Sequence, residues 1–199
     1  MKKSKLLAAL VCSASMLIGS VVPSVPAMAD AMKVVTLGAD LSEDQKNTML
    51  RYFKVDSSQV QIIYVTNQDE RDHLSSYVPL EQIGTRTVSC AYVKPTQSGG
   101  IKVRTANLNW VTGNMIATTL STSGVKNCEV VAACPMEVSG TGALTGIQMA
   151  YEKASGEKLD ETKTKLANQE IVTTGELADK VGKNEATTVV TVSYTHLTL

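Results

Sequence analysis

The chain has 199 residues, of which 19 are basic and 19 acidic, so its formal net charge is zero. Affinity for nucleic acid depends on lysine and arginine contacts to phosphate, and this balance offers no excess of them. No stretch after residue 30 contains the roughly 20 apolar residues that a membrane span needs. Composition therefore argues against nucleic-acid-binding and integral membrane proteins.

The first 29 residues have the pattern of a secretory signal peptide. Lysines at positions 2, 3 and 5 form a basic start, residues 6–22 are uncharged, and Ala27 and Ala29 place small side chains just before Asp30. The apolar core contains serines and is shorter than a membrane span, which favours cleavage over a retained anchor. We expect residues 1–29 to be removed, leaving 16 basic and 19 acidic residues, a charge of −3 and no stable membrane span.

The first half of the remaining chain alternates strand and helix patterns. A strand at 32–37 precedes Ser42 and Gln45, whose spacing predicts a capping box that opens a helix. The β-branched run 60–66 predicts a buried strand, which completes a strand–helix–strand unit. Asn67 is then predicted to cap a polar helix that runs from 68 to about 77.

The second half repeats this architecture without detectable similarity of side chains. Strands are predicted at 86–94 and 101–109, joined as a hairpin by the Gly/Ser/Pro-rich residues 95–100. A helix at 111–123, closed by Gly124, and a strand at 127–134 then form a second strand–helix–strand unit.

The remaining segments predict helices and a final strand. Glycine-rich residues 138–147 lead into a helix that continues to about 153 and is ended by Gly156. Two further helices are expected, at 159–168 and after Thr173, where Thr173 and Glu176 repeat the capping-box spacing and Gly182 marks the end. A strand at 186–194 would be the last element. The pattern predicts one α/β domain over 30–185, with a mixed sheet of five or six strands and packed helices.

Three cysteines remain after the signal peptide, which is an odd number. Cys128 and Cys134 lie on one predicted strand, about 20 Å apart, too far for a bridge. Cys90 could pair with either of them across neighbouring strands, but three buried thiols are the simpler interpretation. The sequence leaves this pairing open.

The strongest candidate for a ligand site is the loop at 139–146. Glycines that lead into a helix expose backbone N–H groups at the positive end of the helix dipole, where an anion or partner could bind. The alternative is ordinary helix capping by Ser139 or Thr141, with small residues that allow close packing between helix and sheet. The candidate residues are Ser139, Gly140, Thr141, Gly142, Thr145 and Gly146.

Other catalytic patterns are weaker, and no catalytic residue is assigned. Asp69, Glu70, Asp72 and His73 point in different directions on a helix and are interpreted as a solvated face. Metal sites need ligands that converge from several elements, so no metal and no cofactor is predicted. A G-x-S-x-G nucleophile elbow is absent from the sequence.

Several short segments resemble the YpuA-like family of secreted bacterial proteins, also called domain of unknown function 1002. They are Thr-Leu-Gly-Ala-Asp-Leu at 36–41, Ile-Gly-Thr-Arg at 83–86, Asn-Trp at 109–110, Val-Ser-Gly-Thr at 138–141 and Ala-Leu-Thr-Gly at 143–146. The resemblance covers about 34–182 and implies an extracytoplasmic location in Gram-positive bacteria, without implying an activity. Family members continue further, and the terminal residues 193–199 are interpreted as a non-native tail.

These observations predict an exported protein of the cell envelope. We favour a non-enzymatic binding or structural module for a wall component or an envelope protein, with no nucleic-acid partner and no predicted oligomeric state. The alternative is a hydrolase of wall polymer or phosphoester that works at the 139–146 loop with Asp40 or Asp69.

Overall fold

The computed structural model describes residues 32–181, with the backbone alone at residue 172 and over 175–181. The expected signal peptide, the strand at 186–194 and the terminal tail lie outside the described residues. The described chain forms a single α/β domain with one five-stranded mixed sheet, as predicted. No helix within 32–181 is long and apolar enough to cross a membrane.

The sheet has the strand order β2-β1-β3-β5-β4. Strand β3 runs antiparallel to both of its neighbours, whereas β1 pairs with β2, and β4 with β5, in parallel. The strands are β1 Val34–Gly38, β2 Gln61–Val65, β3 Cys90–Pro95, β4 Ile101–Leu108 and β5 Cys128–Val138. The helices are α1 Glu43–Phe53, α2 Asn67–Leu74, α3 Leu80–Ile83, α4 Gly113–Thr122, α5 Thr141–Ser155 and α6 Glu161–Val181, with a 3₁₀ turn at Ser57–Gln59.

Both predicted strand–helix–strand units are confirmed. The first is β1-α1-β2 and the second is β4-α4-β5, and in each the two strands are parallel neighbours, as a helical crossover allows. The capping box of α1 is also present, because the Gln45 amide donates to Ser42 Oγ (3.3 Å) and the Ser42 amide donates to Gln45 Oε1 (2.9 Å). The polar helix α2 begins one residue earlier than predicted, with Thr66 in place of Asn67 as its N-cap.

The predicted hairpin between the third and fourth strands is wrong. Strand β5 lies between β3 and β4 and pairs with both, so β3 and β4 never meet. The predicted start of β3 at Arg86 is also wrong, because the strand begins at Cys90. A hairpin is a local inference, whereas the insertion of β5 depends on pairing with residues far along the chain.

Apolar side chains cover both faces of the sheet. Helix α1 packs Met49 and Phe53 on the face formed by Val35, Leu37 and neighbouring strands. Helices α4 and α5 cover the opposite face, and α6 packs against α4. That larger core includes Ile116, Leu120, Leu144, Ile147, Val93 and Val130.

The two helices predicted after residue 159 are one continuous helix, α6. The capping box at Thr173 is therefore wrong, and the Thr173 hydroxyl instead donates to the Gln169 carbonyl one turn earlier (3.3 Å). Ala167, Ile171 and Thr174 recur at helical spacing and are all buried, so tertiary packing carries the helix through this position.

The three described cysteines are free thiols, and all are buried. Cys128 and Cys134 lie on the same strand, which confirms that they cannot pair with each other. Burial raises the pKa of Cys90 to about 12 and that of Cys128 to about 11, because a thiolate is poorly solvated in the core. These thiols are core residues.

Candidate functional site

The candidate site begins where β4 and β5 end together. Strand β5 continues past Pro135 to Val138, beyond the predicted end at Cys134. A register shift between Ala106 and Leu108 accommodates it, with Asn107 in the left-handed conformation (φ 58°) and its side-chain amide donating to the Cys134 carbonyl (2.7 Å).

This irregular pairing fixes the two segments that follow the strands. The Asn109 amide donates to the Val138 carbonyl (2.9 Å), and the Val111 amide donates to the Ser139 carbonyl (2.8 Å). Asn109 is thereby held beside the residues that begin α5.

A second wall is formed by residues 84–89, which approach the end of β1. The Asp40 amide donates to the Thr87 carbonyl (3.0 Å), and the Thr87 amide donates to Asp40 Oδ2 (2.7 Å). Gly38 permits this approach, since a Cβ there would lie 2.4 Å from the Thr87 carbonyl oxygen. The Arg86 guanidinium adds a hydrogen bond to the Asp40 carbonyl (3.1 Å).

Between these walls lies a cavity of about 450 Å³, which we call the Ser139 pocket. Its surface combines hydroxyl, amide and charged groups with apolar side chains. Polar lining residues include Glu70, Arg86, Asn109, Ser139 and Thr141, and apolar ones include Ile83, Val88 and Val138.

Glu70 is the buried acid of this pocket, with 1% of its surface exposed. Its Oε1 accepts a short hydrogen bond from the Thr87 hydroxyl, while its Oε2 has no hydrogen-bond partner among the described residues. Burial raises the pKa of Glu70, and the hydroxyls of Thr141 and Thr87 act in the opposite direction. Glu70 is thus set to keep its proton to a higher pH than an exposed glutamate.

The first turn of α5 packs closely against the wall at 84–89. Gly140 is the N-cap in a left-handed conformation (φ 99°) without a side-chain cap, so the predicted capping by Ser139 or Thr141 is wrong. The Ser89 hydroxyl instead accepts the Ala143 amide (2.7 Å). A Cβ at Gly142 would lie 2.7 Å from Thr87 Cγ2, so close packing does require a small residue there, as predicted.

The structure divides the predicted ligand loop into two parts. Ser139, Gly140, Thr141 and Gly142 line the pocket. Thr145 and Gly146 do not, because both are one turn further along α5 and are packed against the sheet. Thr145 is fully buried, and a Cβ at Gly146 would lie 2.4 Å from Thr36 Oγ1.

The acidic cluster on α2 is also divided. Asp69 accepts hydrogen bonds from the Thr66 amide and hydroxyl, which caps the helix, and Asp72 and His73 are exposed. The interpretation as a solvated face is wrong for Glu70, which shares the buried face of α2 with Leu74. Only the i, i+4 spacing of Glu70 and Leu74 in the sequence could have indicated this.

Of the two carboxylates considered for hydrolysis, neither lines the pocket. Asp69 is used in the helix cap, and Asp40 anchors Thr87 behind the pocket wall. Within residues 32–181, no group of three or more His, Cys, Asp or Glu side chains could hold a metal ion.

The family model described as "Protein of unknown function (DUF1002)" matches residues 37–196. The chain belongs to this family. It is also 41% identical over 158 residues to a protein named "Uncharacterized protein YpuA" from Bacillus subtilis (strain 168). The alignment covers 79% of this chain and 54% of that relative, so the chain spans about half of the relative's length. No solved structure matches the chain.

Four of the five segments that resemble the YpuA-like family meet around one place in the fold. Residues 83–86, Asn109 and residues 138–141 line the Ser139 pocket, and Asp40 of the 36–41 segment anchors its wall. These segments are separated along the chain, and the sheet brings them together.

Proposed function

We propose that this protein is exported to the cell envelope and binds a hydroxyl-rich wall polymer in the Ser139 pocket without cleaving it. The proposal rests on the convergence of four sequence-distant segments, of which three line this pocket and the fourth anchors its wall. Export is supported by the signal-peptide pattern of residues 1–29.

The chemistry of the pocket favours a carbohydrate-like ligand. Sugars present hydroxyl groups that both donate and accept hydrogen bonds, together with apolar C–H surfaces. Ser139 and Thr141, whose hydroxyl oxygens lie 3.3 Å apart, line the pocket together with Asn109, beside the apolar Val88 and Val138. A protonated Glu70 would add a buried O–H donor at its base.

Retention on purified cell walls tests this proposal. We expect the protein to sediment with wall material, and Thr141→Val, which removes a hydroxyl at nearly constant size, to weaken retention about fivefold to tenfold. Thr173→Val, at an exposed position of α6, is the control for the same chemical change away from the pocket. Wild-type protein that stays entirely in the supernatant, or equal retention of both variants, would contradict binding at this pocket.

Hydrolysis of the same polymer is the second candidate, and the environment of Glu70 favours it. A buried carboxyl group with a raised pKa can act as a general acid near neutral pH. Glu81 is the other carboxyl residue among those lining the pocket, and it is exposed.

Incubation of wall polymer with wild-type protein and Glu70→Gln separates the two candidates. Release of new reducing ends by the wild type, and none by the variant, would establish hydrolysis. Retention without release supports the binding function.

A further inference from the structure

A second cavity, of about 410 Å³, lies among α2, α5 and α6, and we call it the Gln148 pocket. It shares no lining residue with the Ser139 pocket. Buried amides and charged side chains of both signs line it: Gln148, Asn168, Asp72, Glu152, Lys158 and Lys165.

The floor of this pocket contains two amide side chains, each only 3% exposed. The Asn168 amide group donates to the His73 carbonyl (3.2 Å), and Gln148 Nε2 donates to Asn168 Oδ1 (2.9 Å). A backbone carbonyl can only accept, so the Asn168 atom facing His73 must be nitrogen. Its oxygen therefore faces Gln148, which fixes the orientation of both amides.

This orientation leaves Gln148 Oε1 as a buried acceptor without a partner among the described residues. The Thr164 hydroxyl, also in the lining, is buried and equally without a partner. An unpaired buried acceptor destabilises the folded protein, and a ligand that supplies an N–H donor would remove this cost.

The charges of the pocket narrow the class of ligand. Three carboxylates line it, from Asp72, Glu152 and Glu161, together with two ammonium groups, from Lys158 and Lys165. Among the described residues the one salt bridge joins Lys46 and Glu43, so neither lysine of the pocket forms a salt bridge with another described residue. A ligand with one charge of each sign would match this mixture, and a simple anion or cation would match only half of it.

We propose that the Gln148 pocket binds a free amino acid or a dipeptide, a ligand that carries both an ammonium group and a carboxylate. The ligand's ammonium group donates to Gln148 Oε1 near the carboxylates of Asp72 and Glu152. Its carboxylate is oriented toward Lys158 and Lys165. This site is independent of the wall-polymer proposal, because the two pockets have no residue in common.

Titration of the isotopically labelled full-length protein with glycylglycine tests this site by NMR. We expect shifts of the Gln148 and Asn168 side-chain amide signals. N-acetyl-glycylglycine, which has no ammonium group, should bind at least tenfold more weakly. Titration with glycine distinguishes a free amino acid from a dipeptide as the ligand. Glycine should shift the same signals as much as glycylglycine does only if the peptide bond makes no contact with the pocket.

Two variants with matched controls complete the experiment. Gln148→Met removes the acceptor, together with the donor to Asn168, at similar size and should weaken glycylglycine binding about tenfold. Gln169→Met, at an exposed position of α6, should not weaken it. Lys165→Met should weaken the binding of glycylglycine but leave the binding of glycylglycine amide unchanged, because the amide has no carboxylate. Lys163→Met is its exposed control.

Both lysine variants lie at exposed positions, so they test the site even if Gln148→Met fails to fold. The proposal is overturned if glycylglycine leaves the Gln148 and Asn168 signals unmoved. It is equally overturned if the acetylated peptide binds as tightly as the free one, or if Lys165→Met and Lys163→Met behave alike.

Discussion

Gly146 lies so close to Thr36 that a Cβ on the glycine would be 2.4 Å from the threonine hydroxyl oxygen and 2.9 Å from its Cβ. Thr36 is itself fixed, because its hydroxyl accepts the Ala91 amide (3.1 Å). This contact sets the distance between α5 and the sheet, and hence the position of the helix end that forms the Ser139 pocket.

Gly146→Ala is expected to destabilise the protein by about 1–3 kcal/mol, because overpacking outweighs the gain in helix propensity. Gly113→Ala in α4 is the control, since its Cβ would make ordinary contacts at 3.7 Å and 3.8 Å. Urea denaturation measures both. A Gly146→Ala protein as stable as Gly113→Ala would show that α5 can move away from the sheet.

Glu70 is expected to make stability depend on pH. Its pKa is raised above the ordinary 4.5, so the folded state holds a proton that the unfolded state has lost. Stability from this group is therefore complete below about 4.5 and falls as pH rises through the folded-state pKa.

Glu70→Gln cannot titrate, so it should gain stability relative to wild type as the pH rises from 4.5. Thermal denaturation across this pH range checks the trend. Glu81→Gln, at an exposed position beside the same pocket, should keep the wild-type dependence. Parallel pH profiles for wild type and Glu70→Gln would mean that Glu70 is not buried as described.

Asp40 is expected to stabilise the pocket wall by accepting the Thr87 amide at 2.7 Å. Asp40→Ala should lower the free energy of unfolding by about 1–2 kcal/mol, because it removes a charged acceptor from a backbone donor. Asp44→Ala, which alters an acidic residue in the first turn of α1, should cost less than about 1 kcal/mol. Chemical denaturation measures the free energy of unfolding of both variants. Equal losses for Asp40→Ala and Asp44→Ala would contradict the anchoring role of Asp40.

The buried thiols are expected to resist alkylation in the folded protein. A pKa near 12 for Cys90, against an ordinary 9.0, lowers the thiolate population at neutral pH roughly a thousandfold, and burial restricts access further. Peptide mapping after N-ethylmaleimide treatment should show Cys90 and Cys128 modified only once the protein is unfolded. Rapid labelling of either residue in native protein would place it at the surface.

The sequence predicted those elements that depend on local spacing. The capping box of Ser42 and Gln45 and both strand–helix–strand units are present because their signals lie within short segments. The same spacing at Thr173 and Glu176 does not begin a helix, because α6 is continuous there and the buried Ala167, Ile171 and Thr174 hold it in place up to this position. A capping pattern opens a helix only where tertiary packing does not already extend one.

The non-local features could not be predicted in this way. Strand β5 enters between β3 and β4, and this depends on pairing between residues far apart in the chain. Glu70 was grouped with its neighbours on α2, because a charged side chain in the sequence does not show that it will be buried. The Thr87 hydroxyl that donates to Glu70 in the core comes from a different part of the chain. Four of the six predicted loop residues line the Ser139 pocket, whereas Glu70, the buried acid of that pocket, was not predicted.

NMR shift mapping with soluble wall-glycan fragments tests most directly whether the Ser139 pocket binds wall polymer. We expect backbone amide shifts at residues 139–142 and a shift of the Asn109 side-chain amide, with the Thr173 amide signal unchanged. Silent signals at residues 139–142 in the presence of excess fragments, or shifts confined to other surfaces, would contradict the claim.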